Sequence, residues 1–203
     1  MKFLNENLVV GIIALCFIFY AGQAVIIGDT NRLYMVLVPS LIISLLPLLF
    51  ENRLRVTLPA GTKSLVAFAL LLHIAGGISR FYWKFAPYYD KCAHVVSSVA
   101  LMMVIFSFFV ALDYWGRHFK INSVLLGVVL ITTVFMVSWE FAEYYIDVLV
   151  KSSYNNGIAD TIGDLIANVI GIIIALLVIR RETKKIPPGK SIGYLFSGQK
   201  NRL

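Results

Sequence analysis

Charge is scarce in this chain. Only 14% of its 203 residues are Asp, Glu, Lys or Arg, against about 25% in ordinary soluble domains, too few to clothe a water-facing surface. Cysteine is scarcer still: Cys16 and Cys92 lie in or beside apolar stretches, make no disulfide framework, and read as small buried hydrophobes. The alternating segments that build a transmembrane β-barrel are missing. So is any serine or cysteine nucleophile motif, which leaves covalent catalysis without support, and no internal repeat is strong enough to argue from. What fills the chain instead is oil: 59% hydrophobic residues with mean hydropathy +0.82. The apolar runs are long enough to cross about 30 Å of hydrocarbon. The sequence predicts an all-α polytopic membrane protein, a bundle of about six transmembrane helices.

The spans are expected near residues 8–27, 33–50, 64–83, 92–112, 121–149 and 159–179, in a single transmembrane domain over 1–180 followed by a basic cytoplasmic tail over 181–203. The first span reads as a retained helix rather than a cleaved signal, because its apolar stretch is long and Glu6 dilutes the positive start. Pro39 and Pro47 predict a kink in the second. The net charge of +7 is weighted towards the tail, "RRETKKIPPGKSIGYLFSGQKNRL". A basic run directly after a membrane helix is a topology signal or a contact for anionic lipid, so the expected partners are membrane lipids and not nucleic acid. Six spans put both termini on one side. With the termini inside, the inner segments hold Lys2, Arg53, Arg55, Lys63, Arg117, Lys120 and the tail cations, whereas the outer ones hold Arg32, Arg80, Lys84, Lys91 and Lys151. The positive-inside rule then favours cytoplasmic termini and a multi-pass protein of the cell membrane.

Against this background the stretch "WEFAEYYIDVLVKSSYNNGIADTIGDLIANVIG" is anomalous, for it holds Glu140, Glu143, Asp147, Asp160 and Asp164. With the termini inside, the fifth span carries its acids outward and the sixth begins with its own. The fourth begins with Asp90 and His94. Residues 140, 143 and 147 share one helix face, as do 160, 164 and 168, and as do 90, 94 and 98. A charge facing lipid costs about 2.5–3.5 kcal/mol on insertion scales. The acids are therefore expected to face one another in the outer half of the bilayer, neutralised by protons, cationic side chains or metal.

Hard oxygen ligands with one imidazole suit Mg²⁺, Mn²⁺, Ca²⁺ or Fe²⁺, and Asp90, His94, Glu140, Glu143, Asp160 and Asp164 are the candidate metal ligands. His94, Glu140 and Asp164 are the candidate catalytic residues. Arg80 and Lys84 sit among the interfacial aromatics of "FYWKFAPYYD" and are candidates to attract an anionic headgroup, with Asn168 and the mid-membrane His73 as further substrate contacts. Each also has a structural reading. Glu140 and Glu143 are explicable as partners of Arg80 or Lys91, Asp160 as a helix cap, Asp147 as a solvated interfacial acid, and His73 as a cross-helix hydrogen bond. Gly76 and Gly77 read as a close helix crossing or a kink.

The motifs "LLHIAGG", "YYDKCAH", "WEFAEYY" and "DTIGDLIANVIG", in that order, resemble the YjdF-like inner-membrane proteins and, more distantly, the VanZ-like family. The resemblance covers about residues 68–175 and marks His73, Asp90, His94, Glu140, Glu143, Asp160, Asp164 and Asn168, with Gly171 as a packing position. The chain departs from the YjdF-like pattern at Ile162 and Gly163, where tryptophan is usual, and from the VanZ-like pattern at Glu143, where glutamine is common. The resemblance implies a site but no assigned activity. Three classes stay open: metal-dependent chemistry on, or binding of, a lipid or lipid-linked headgroup; a cation or proton transporter, for which Gln23 and His73 are the mid-depth polar candidates; and an accessory protein with a buried ion-pair network.

Overall fold

The computed structural model describes residues 5–150 and 157–197. Helix α1 (Glu6–Ile26) starts at Asn5, whose side-chain oxygen accepts the Asn7 N–H, the usual remedy for an orphan first-turn donor. After a reversal, the single turn α2 (Thr30–Arg32) is capped by Asp29 and leads through a π-helical stretch, Leu33–Leu37, into α3 (Val38–Leu54). Pro39 stands just after the π-helical stretch, in the first turn of α3, and Pro47 lies inside α3. The chain continues through α4 (Thr62–Ile78), the short α5 (Phe81–Lys84), α6 (Tyr88–Tyr114), α7 (Ile121–Val150), α8 (Ile158–Thr183) and α9 (Tyr194–Ser197). Among the described residues every regular element is helical. Lys2, Lys151 and residues 198–203 of the basic stretch lie outside the described residues.

Helical segments stand where the six spans are expected, but four are long and apolar enough to cross a membrane: α1, α6, α7 as far as Leu149, and α8. At 17 residues α4 rises about 25 Å, short of a full hydrocarbon core, whereas α3 prolongs a helical rod that starts at Thr30. The expected third span, 64–83, ends early because the chain turns left-handed at Arg80 (φ 58°) and starts a new turn at Phe81.

Helix α6 is the centre of the architecture. It packs most extensively against α8 and next against α4, and α4 in turn packs on α1 and α3. Two apolar cores result. One gathers α6, α7 and α8 around Met102, Met103, Phe106, Val128 and Ile179, and the other joins α1, α3 and α4 around Val10, Phe17, Leu37 and Ala67. Large apolar side chains such as Leu15, Phe19, Leu126, Val134, Phe141, Ile166 and Leu177 point outward, as a lipid-facing surface requires.

The crossing of α6 and α8 is made close by small residues. Ala167, Gly171 and Ala175, at four-residue spacing, are buried, and a Cβ at Gly171 would lie 2.5 Å from the Val95 carbonyl oxygen. Where lipid gives helices no hydrophobic reason to associate, such stripes let backbones approach and gain dispersion contact.

At the far end of α6 the stretch after α8 returns to the bundle. Ile192, Leu195 and Phe196 are buried in the α6–α8 core, and Phe196 packs between the rings of Phe50 and Tyr114. The buried Asp113 accepts the Gly193 N–H at 2.8 Å and the Phe119 N–H at 3.2 Å.

Candidate functional site

Three helices converge on one polar cluster at the end of the bundle where α6 and α8 begin and α7 ends. Asp90, Lys91, His94 and Ser98 come from α6, Asp160, Asp164 and Asn168 from α8, and Glu140 and Glu143 from α7. His94, Ser98, Glu140, Asp164 and Asn168 are buried. The four-residue spacings on α6 and α8 turn these side chains towards each other, and the small residues of α8 bring them within reach.

Asn168 fixes the polarity of the network. The Ser98 hydroxyl donates to Asn168 Oδ1 at 2.8 Å, and Asn168 Nδ2 donates to Glu140 Oε1 at 3.5 Å. His94 Nδ1 lies 3.3 Å from the same Oδ1. An amide oxygen accepts only, so Nδ1 carries the proton and donates. The other ring nitrogen, Nε2, then faces Asp164 Oδ1 at 3.5 Å and Asp90 Oδ1 at 3.6 Å. On a neutral ring it would point an electron pair at two carboxylates, so this arrangement calls for a proton, on Nε2 or on one of the carboxyls, or for a cation between the three groups. A histidine whose Nδ1–H is held while Nε2 is offered also has the geometry of a metal ligand with its outer-shell partner.

Among the described residues two groups of three have ligand atoms all within 4.8 Å of one another: Asp90, His94 and Asp164, and His94, Glu140 and Glu143. Glu140 Oε1 lies 3.6 Å from His94 Nδ1, while Glu140 Oε2 is buried without a hydrogen-bond partner, an expensive state for a carboxylate oxygen unless it is protonated or has an ion to bind. Glu143 is half-buried and takes a 2.7 Å hydrogen bond from the Trp139 indole N–H.

Lys91 answers the aspartates. Its Nζ lies 2.5 Å from Asp160 Oδ1, 2.6 Å from Asp164 Oδ1 and 3.2 Å from Asp90 Oδ2. The reading of Lys91 as a partner for Glu140 and Glu143 is thus corrected: the lysine sits on the α8 side of the cluster. Asp160 stands within the first turn of α8, whose N-cap is Gly157, and its side chain accepts from Lys91.

The other expected residues lie elsewhere. His73 is held by Tyr82 (Nδ1 to the hydroxyl, 2.6 Å) and Ser97 (Nε2 to Oγ, 2.8 Å), a separate hydrogen-bond network joining α4, α5 and α6. The Tyr82 ring explains Gly76, where a Cβ would come within 2.4 Å of it, so this glycine admits an aromatic returning from the short helix α5. Gly77 has open space beside it. Arg80 is exposed, and Lys84 rests 5.4 Å from the centroid of the Phe85 ring. Among the described residues neither forms an ion pair with the cluster. Asp147 is half-buried one turn beyond Glu143, and Gln23 is exposed on α1.

Sequence reasoning missed a second polar group at the opposite end. Lys63, at the start of α4, bonds Glu51 at 2.5 Å and Asn7 at 2.8 Å, and Glu6 accepts the Gly61 N–H. Glu51 and Lys63 frame "ENRLRVTLPAGTK", which reads as a plain polar linker, and nothing in the local pattern says that Asn7, two helices away, closes on it.

The chain matches no curated protein and no solved structure. The more distant VanZ-like resemblance gains no support, whereas one family model spans residues 7–185. The chain carrying this cluster belongs to that family, "Predicted membrane protein (DUF2238)", usually called YjdF-like.

Proposed function

We propose that this multi-pass protein binds a divalent cation in the Asp90–His94–Asp164 cluster and uses it to bind, or act on, the headgroup of a lipid or lipid-linked molecule. The observation that carries this reading is the polarity set by Asn168, which leaves His94 Nε2 facing two carboxylate oxygens. Of the species that fit such a place, Mg²⁺, Mn²⁺, Ca²⁺ and Fe²⁺ match oxygen donors with one imidazole. The ion would polarise a phosphoryl or acyl oxygen. Glu140, with Oε2 unpartnered and buried, is suited to move a proton or complete the ligand set. Glu143 and Asp160 extend the acidic wall.

The choice of a lipid substrate is supported by the surroundings. Buried Glu140 and Asp164 alternate with Trp139, Phe141, Ile162 and Ile166, which are exposed on the bundle surface, so an amphiphile lying against α7 and α8 would present its polar end to the cluster. In the six-span arrangement with cytoplasmic termini, that end lies in the outer leaflet. Arg80 and Lys84 then serve as outlying attraction for an anionic headgroup, and His73 as part of the neighbouring wall. The three aspartate contacts of Lys91 favour a second reading, a packing network of ion pairs with no ligand.

Metal content decides between the two. Purified protein in detergent, offered metal at neutral pH, is expected to retain close to one divalent ion per chain by elemental mass spectrometry. Glu140→Gln and Asp164→Asn, monodisperse and with unchanged helical circular dichroism, are expected to lose it. No metal in the parent protein would sink the cation reading and leave the ion-pair network.

A further inference from the structure

The cluster already contains a cation of the chain's own. Lys91 has three N–H donors, and four acceptors surround them: Asp160 Oδ1, Asp164 Oδ1, Asp90 Oδ2 and the Asp160 carbonyl oxygen at 3.4 Å. Two of those acceptors belong to residues that also face His94. Asp164 uses one oxygen for both, Oδ1 lying 2.6 Å from Lys91 Nζ and 3.5 Å from His94 Nε2. Asp90 divides its oxygens, Oδ2 to the lysine and Oδ1 towards the imidazole. The lysine stem crosses α8 at Gly163, where a Cβ would lie 2.9 Å from Lys91 Cε. A glycine at this point is what lets the ammonium reach Asp164. On the other side of His94 the pattern differs: among the described residues Glu140 has no lysine or arginine partner, and its Oε2 is buried without a hydrogen-bond partner.

An ammonium and a divalent ion sharing Asp164 Oδ1 would stand a few ångströms apart and repel strongly in a half-buried site. We propose that Lys91 is a tethered competitor for the cation: its ammonium neutralises Asp90 and Asp164 when no ion is bound, and an ion entering between Asp90, His94 and Asp164 must first displace it from Asp164. This rests on the cation-binding reading above and adds a consequence to it. The affinity of the site is set as much by the lysine that must leave as by the ligands that remain. The freed ammonium, still tethered beside the ion, is then placed to meet an anionic group on the ligand.

The test is Mn²⁺ binding to the full-length protein in detergent, followed by loss of the free-ion electron paramagnetic resonance signal. Lys91→Met keeps the length of the stem and removes the charge, and it is expected to tighten Mn²⁺ binding roughly tenfold or more, as expected when a like charge a few ångströms away is removed. Gly163→Ala keeps the charge but pushes the flexible stem aside, and it is expected to tighten binding by a smaller factor. Unchanged or weaker binding in a folded Lys91→Met protein, alongside clear binding by the parent, would overturn the competitor role while leaving the cation site standing. Should Lys91→Met fail to fold, Gly163→Ala decides: tighter binding supports the competitor role, and unchanged or weaker binding overturns it. Absence of Mn²⁺ binding in all three proteins would remove both the inference and the reading beneath it.

Discussion

At the scale of single residues, Asn168 matters more than its neutral side chain suggests. It is the one group in the cluster that touches Ser98, His94 and Glu140 together, and it decides which imidazole nitrogen faces the aspartates. Asn168→Leu keeps about the same volume but leaves His94 free to turn over. It is expected to weaken divalent-ion binding about 10–100-fold, the usual effect of removing an outer-shell partner, with helical content unchanged by circular dichroism. Tyr82→Phe provides the contrast. It removes one hydrogen bond from His73, costs about 1 kcal/mol of stability, and should leave ion binding untouched, because His73 belongs to a different network. Equal loss of binding in both proteins would mean that the two networks act as one.

At the scale of elements, the site exists because α6 and α8 cross closely, and that crossing hangs on Gly171. Even alanine there would bring Cβ to 2.5 Å of the Val95 carbonyl oxygen and 2.7 Å of Ser98 Cβ. Gly171→Ala is expected to destabilise the protein by about 1–3 kcal/mol, as overpacking of a tight interior does, and to impair ion binding because Ser98 and Asn168 are forced apart. A lowered thermal unfolding midpoint in detergent, measured beside Mn²⁺ binding, checks both effects. This is also where sequence reading succeeds and where it stops. That Asp90, His94, Glu140, Glu143, Asp160, Asp164 and Asn168 gather in one polar cluster was legible, because three- and four-residue spacings on three apolar helices leave charged groups nowhere to face but inward. Gly171 was legible as a packing position. The partition of the cations was not legible, since Arg80, Lys84 and Lys91 lie within a dozen residues and differ only in where a left-handed turn and the start of α6 direct them. The early end of α4 escaped notice for a related reason: aromatic residues read as a continuation of an apolar run until the backbone turns at Arg80.

At the scale of the whole molecule, the orientation expected from charge is open to direct test through the two natural cysteines. Neither is the buried hydrophobe expected: Cys92 is exposed in the first turns of α6, and Cys16 is half-buried midway along α1. With cytoplasmic termini, a membrane-impermeant maleimide added to intact cells is expected to label Cys92 and to spare a Cys92→Ser protein. Labelling that requires broken cells would place the acidic end inside and reverse the arrangement. The opposite end of the bundle carries a consequence for how the chain is made. Phe196 closes a gap between Phe50 and Tyr114, and Gly193 satisfies Asp113, yet these partners precede them by 80 residues or more along the chain. In a growing chain α1, α6, α7 and α8 are all complete while that seat is still empty and Asp113 still lacks the Gly193 N–H. Assembly therefore has a keystone that arrives late. A chain interrupted between Thr183 and Ile192 would hold its long helices and still expose the unfilled seat, which is the kind of apolar surface that quality-control proteases and chaperones recognise.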